Sequence, residues 1–258
     1  MFTRYGFNNR VVPRLRAVLP GQFLRGQRRL RDGSTVAAVV AALLLLNFTA
    51  HFTPASSWFI TVPFGAALLV CLARVAGLSW RDLGISRATL KKGLGYGAVA
   101  AGVVVAVGIG VALPLTREFF LNEAYASART ALLAALVIIP LKTVLPEELV
   151  FRGVLHGSLQ RLAGMKTVFI GGSLLFGLWH VASSLHLTAG NAGLSGVLGT
   201  GTLGQWLGIG LAVGATSCAG AVFTWLRHRS NSVLAPIGLH WALNTVGALA
   251  AAAAFQLG

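Results

Sequence analysis

Seven apolar segments, near residues 35–52, 57–77, 93–115, 131–150, 167–184, 205–226 and 233–256, constrain this chain more than any other feature. A helix needs roughly 20 apolar residues to cross a bilayer core of about 30 Å. Most of the segments reach that length, some only with their flanks. An open strand edge cannot be satisfied in lipid, so helix is the required form. The expected fold is all-α, a polytopic transmembrane helix bundle of about seven spans. Charged residues make up only 10% of the 258, whereas a soluble chain carries about a quarter. A soluble globular protein is therefore excluded.

The 21 Lys and Arg against 6 Asp and Glu give a net charge of +15. In a soluble chain that balance would point to nucleic acid. Here the cations sit between apolar runs, which is the pattern of membrane orientation and of contact with anionic lipid. Residues 1–34 hold eight arginines and read as a basic cytoplasmic arm, disordered or lying on the membrane surface. Arg74, Arg81, Arg87, Lys91, Lys92, Arg152, Arg161, Lys166, Arg227 and Arg229 fall on the same side, and only Arg117 and Arg129 on the other. The amino terminus is expected inside and the carboxyl terminus outside. Cys71 and Cys218 lie in apolar runs without metal-ligand spacing and read as buried thiols. Glycines at 95, 102, 108 and 110, and at 208, 210, 214 and 220, suit close helix contact.

Two of the six acidic residues, Glu147 and Glu148, fall in or at the edge of the fourth apolar segment. A carboxylate in lipid is costly and is usually functional or paired. On a helix Glu148 shares a face with Arg152, and Glu147 points elsewhere. This predicts that Glu148 pairs with Arg152 and that Glu147 is free to face a site. A purely structural reading, with both glutamates sharing Arg152, stays open. Phe176 and His180, then His240 and Asn244, are further pairs four apart on later spans. A Glu with two His can activate water, directly or through a metal. Asn244 can donate to a developing oxyanion. Lys142 is expected to snorkel or to pair with a glutamate. His51, His186 and His228 look remote from chemistry. His156, two turns after the glutamates, is expected in packing or solvent, with contact to the site as the alternative.

These three pieces, in this order, resemble the CPBP family of intramembrane proteases, which includes the CAAX prenyl endopeptidases and bacterial relatives linked to bacteriocin processing. The family pattern is Glu-Glu-x-x-x-Arg, then Phe-x-x-x-His, then His-x-x-x-Asn, and the resemblance covers roughly residues 131–256. It implies a catalytic core at 131–258, which follows the basic arm at 1–34 and amino-terminal transmembrane helices at 35–130 read from charge and apolarity. It also implies an intramembrane endopeptidase, expected in a bacterial plasma membrane. Glu147 and His180 would activate water, His240 and Asn244 would hold the oxyanion, and Glu148, Arg152 and Phe176 would support the site. The residues leave open either no cofactor or a divalent metal such as zinc, held by Glu147, His180 and His240. The absence of a His-Glu-x-x-His helix favours the metal-free form.

The expected substrate is a membrane-anchored or amphipathic peptide, reached through a site opening towards the cytoplasmic half. Anionic lipid is the expected partner of the arm, and no nucleic acid is expected. Two other readings stand beside the protease: a non-catalytic membrane protein of the same fold acting in immunity or partner binding, and a proton-coupled transporter. One conflict is visible. Counted at about 1.5 Å per residue, Glu147, His180 and His240 fall at different depths, although they must meet. A break at Pro140 or Pro146, or a fifth span starting deeper, would reconcile them.

Overall fold

The computed structural model describes residues 21–257, and the first twenty residues of the basic arm lie outside them. Among the described residues the chain is helical with no strand. The elements used below are α1 (Gly21–Phe52), α2 (Thr61–Val75), α3 (Leu90–Gly97), α4 (Ala100–Ala112), α5 (Ala128–Trp179), α6 (Ala192–Leu198), α7 (Thr202–Ser230) and α8 (Leu234–Leu257). The helix of α1 begins well before position 35, so residues 21–34 continue the first apolar helix.

Among the described residues, five helical segments are long and apolar enough to cross a membrane: Arg25–Phe52, Arg87–Ala112, Ala128–Trp179, Thr202–Ser230 and Leu234–Leu257. The difference from the expected seven has two sources. Helix α2 is only 15 residues long. The fourth and fifth apolar segments join in α5, a single run of 52 residues.

Burial is inverted relative to a water-soluble protein. Leu44, Leu45, Phe48, Leu68, Ile109, Leu136, Ile170, Trp206 and Leu211 are exposed on the outside, while Glu147, Glu148, Arg152, Arg227 and His240 are buried. That arrangement suits a lipid solvent, in which polar groups are satisfied only inside the bundle. Cys71 and Cys218 are free and exposed, contrary to the reading as buried thiols. Sequence apolarity marks a lipid-facing position and a core position alike, so it could not separate them.

Helix α5 turns at Gly164, whose φ of 78° is open to glycine at little cost. Two arms run back along each other from this point. Phe151 and Phe176, thirteen residues before Gly164 and twelve after it, have ring centroids 5.1 Å apart. The first arm continues well past residue 150, so the expected inner boundary there is displaced. Its residues 150–155 are buried among other helices. Pro140 does not break the arm. It sits in a π-helical stretch, Ala134–Val144, whose wider turn takes up a proline without a break.

The second arm packs on α7, and α8 packs on α3, α4 and the first arm. A Cβ at Gly177 would run into Ser217 Oγ and lie 2.6 Å from the Val213 carbonyl oxygen, so only glycine permits this approach. Of the glycines named above, Gly110, Gly208 and Gly220 have close neighbours, whereas Gly95, Gly102, Gly108, Gly210 and Gly214 face open space. One core joins Val39 and Leu43 of α1, Leu69 of α2, Phe151 and Phe176 of α5, Phe223 of α7 and Leu239 of α8.

The turns gather at two opposite ends. At one, Arg161 reaches Asp82 at 2.6 Å, the Val233 amide donates to Gly84 O at 3.1 Å, and Thr89 Oγ1 donates to Asn231 O at 3.2 Å. Arg227, read from sequence as a loop cation, is buried there. It donates to the carbonyls of Arg152, Arg81 and Asp82. At the other end, Asn191 Nδ2 donates to Phe119 O at 2.9 Å, and Arg117 to Leu257 O at 2.7 Å.

Candidate active site

The two glutamates occupy a short α-helical stretch, Leu145–Glu148, between the π-helical stretches Ala134–Val144 and Leu149–Leu155. Pro146 lies inside the continuous helical run and removes one N–H from its hydrogen-bond ladder there. π-Helical turns re-aim side chains and are frequent at functional sites. Here they flank both carboxylates.

Glu148 is fully buried. Its Oε1 accepts from Arg152 at 3.1 Å and from His240 Nδ1 at 2.9 Å. Two donors from two helices therefore meet on one carboxylate oxygen. Arg152 is packed as well as paired: its guanidinium carbon lies 4.0 Å above the ring of Phe176 and 4.9 Å from that of Phe223. It also donates to Gly220 O at 3.4 Å. The aromatic faces favour the cation and screen it from lipid.

Glu147 is held differently. Its Oε1 accepts from the indole N–H of Trp179 at 3.1 Å, and its Oε2 is buried with no protein partner. His180 caps the second arm of α5, and its Nδ1 lies 2.8 Å from Phe176 O. A carbonyl only accepts, so Nδ1 carries a proton and the neutral ring keeps a lone pair on Nε2. Phe176 stands beside both histidines, with ring centroids 4.8 Å from His180 and 6.0 Å from His240. Phe223 stacks on His240 at 5.0 Å.

Glu147, His180, His240 and Asn244 all line one cavity of about 540 Å³. Phe176 also lines it, while Glu148 and Arg152 lie behind its wall. The conflict of depths resolves at Gly164. Glu147 lies 17 residues before that turn and His180 16 after it, so the two arms carry them to equal height. His240 enters on α8 and is oriented by Glu148 through its Nδ1.

Several lining residues were not singled out from sequence. Trp179 binds Glu147, and only its place beside His180 signalled it. Phe223 carried no signal, because an aromatic in an apolar run is unremarkable. The sequence reads His51 as remote from chemistry and Lys142 as snorkelling or pairing with a glutamate. Both line the cavity, and Lys142 forms no ion pair among the described residues. His156 is buried away from the cavity, with its Nδ1 unpartnered.

A catalytic zinc usually takes three protein ligands. Among the described residues no group of three or more His, Cys, Asp or Glu is arranged to hold a metal ion. Glu147, His180 and His240 share the cavity without forming such a set.

These features define an integral membrane protein of helices, with a cluster of buried and half-buried Glu, His and Asn lining a cavity. Residues 128–246 match the family model for type II CAAX prenyl endopeptidase Rce1-like proteins. The segment is an Rce1-like domain, which agrees with the CPBP resemblance of the three motifs, and the family points to a peptidase of the CAAX protease kind. The matched stretch includes every residue from Glu147 to Asn244 named above. No curated protein and no solved structure matches the chain significantly.

Proposed function

We propose that the chain is an intramembrane endopeptidase that uses Glu147 and His180 to activate water. The carrying observation is the unequal treatment of the two carboxylates. Glu148 has its charge matched by Arg152 and its Oε1 shared with His240. Among the described residues each carboxylate has a buried Oε2 with no protein partner, but only Glu147 lines the cavity, together with two histidines and an asparagine. A buried unpartnered acceptor is costly, and a water would satisfy it.

In this reading Glu147 and the free Nε2 of His180 take the proton as the water oxygen attacks the scissile carbonyl carbon. The carbonyl π electrons move onto oxygen. The Asn244 amide donates to that oxyanion, and so does Nε2–H of His240 when the ring carries both protons, its Nδ1–H being committed to Glu148. Collapse breaks the C–N bond, and the proton passes to the departing amine. Glu148, Arg152 and Phe176 position His240 and the Glu helix. No step is routed through a metal. The Rce1-like match supports a peptidase over the immunity and transporter readings.

A membrane-anchored or amphipathic peptide suits the surroundings. An apolar groove between α1 and α2, lined by Leu45, Leu46, Phe64, Leu68 and Leu72, shares Trp58 and Thr61 with the cavity. The test is cleavage of lipidated and unlipidated peptides by detergent-purified protein. Glu147→Gln and His180→Ala should each abolish it. Cleavage that survives both would refute the assignment.

A further inference from the structure

The cavity is not at the end of the molecule that the expected cytoplasmic opening requires. Its lining reaches Ala50 and His51 at the end of α1, Ser56 and Trp58 in the α1–α2 connection, and Ser183 after the second arm of α5. The side chain of Asn47 on α1 donates to Trp179 O at 2.9 Å, which fixes these segments at one level. Arg161, by contrast, meets Asp82 and Gly77 at the opposite end, 14 residues along the first arm from Glu147. At 1.5 Å per residue that is about 20 Å, most of a bilayer core.

Charge divides between the same two ends. The segments 25–32, 74–92, 161–166 and 227–229, at the end of the Arg161–Asp82 pair, carry thirteen Lys and Arg. At the cavity end, segments 53–60 and 185–204 hold no Lys, Arg, Asp or Glu. Segment 113–130 holds only Arg117 and Arg129, with Glu118 and Glu123. Lysine and arginine in short loops are retained on the cytoplasmic side. We infer that the cavity opens on the extracytoplasmic side. Its substrate is then a peptide presented from that side: an exported amphipathic peptide, or the outer juxtamembrane stretch of a membrane protein. A lipidated tail held in the cytoplasm is on the wrong side. The substrate half of the inference rests on the peptidase reading, and the orientation half does not.

Orientation is tested first, without any activity. In a Cys71→Ser, Cys218→Ser background, Ser57→Cys and Ala189→Cys place thiols at the cavity end, and Ala88→Cys places one at the basic end. Ser57, Ala189 and Ala88 are all exposed. A membrane-impermeant maleimide applied to intact expressing cells should label the first two, and Ala88→Cys only after permeabilisation. The reverse pattern overturns the inference. If the cysteine-free background fails to fold, the unsubstituted chain serves. Leu257 lies at the cavity end, so a tag fused after Gly258 should be removed by protease added to intact cells, and survival of the tag overturns the orientation.

Spheroplasts are then given an impermeant fluorogenic peptide. Cleavage without permeabilisation, lost in Glu147→Gln, is expected. Cleavage only after permeabilisation overturns the substrate half. No cleavage in either condition, with outside labelling intact, sinks the peptidase reading and leaves the orientation standing.

Discussion

His240 Nδ1 and Glu148 Oε1 lie 2.9 Å apart although 92 positions separate them in the chain. This contact gives the paired glutamates separate tasks. Glu148 is committed to Arg152 and His240, which leaves Glu147 as the carboxylate available to the cavity.

Breaking that set should destabilise the fold before it affects chemistry alone. Removing one partner of a buried ion pair costs about 3–5 kcal/mol, because the other charge is left uncompensated. Arg152→Ala should therefore lower the thermal midpoint in detergent sharply. Arg152→Met combined with Glu148→Gln should cost clearly less than the sum of the single changes. Strict additivity would mean that the pair is not coupled.

The Trp179 indole should matter to turnover more than to stability. Trp179→Phe keeps an aromatic ring but removes the N–H that binds Glu147 Oε1. A hydrogen bond to a charged group contributes about 1.5–3 kcal/mol, so kcat should fall about ten- to a hundredfold. KM should change little, since the peptide is not the bonded partner. A change confined to KM would place Trp179 in substrate binding instead.

Asn244 has a proposed role only in the transition state. Removing one oxyanion donor typically costs about 10²–10³ in kcat. Asn244→Ala should show that loss with an unchanged melting profile. A variant with full activity would remove Asn244 from the site.

Acid should loosen the basic end through Asp82. Partial burial pushes its carboxyl up, but the Ser79 hydroxyl and amide and the Arg161 guanidinium outweigh this and hold it below its ordinary value. The folded value lies below the unfolded one, so the stabilisation is fully present above the unfolded value of about 3.9. It is lost as pH falls through the folded value. The pair is about one third exposed, so the effect should stay under about 1 kcal/mol. Unfolding measured from pH 6 down to pH 2 should show a loss that Asp82→Asn lacks. An identical profile in the variant would exclude Asp82.

The sequence by itself determined that the chain is a helical membrane protein, because apolar length and scarce charge leave no other solvent for it. It also supplied the residue types on which the proposed chemistry rests. Glu148 and Arg152 were legible as neighbours because four residues make about one helical turn. The partner of each carboxylate was not legible. Trp179 for Glu147 and His240 for Glu148 are set by the turn at Gly164 and by the packing of α8, and a helix period carries no information about which face meets which helix. Burial of Arg152 and Arg227 was hidden for the same reason: a cation in sequence reads as a boundary until its buried partners are known. The side of the membrane on which the cavity opens needed both sources. Charge counts mark one end of the bundle, and only the tertiary structure shows that the cavity lies at the other, because depth is fixed by where helices turn and how they pack rather than by where apolar runs begin.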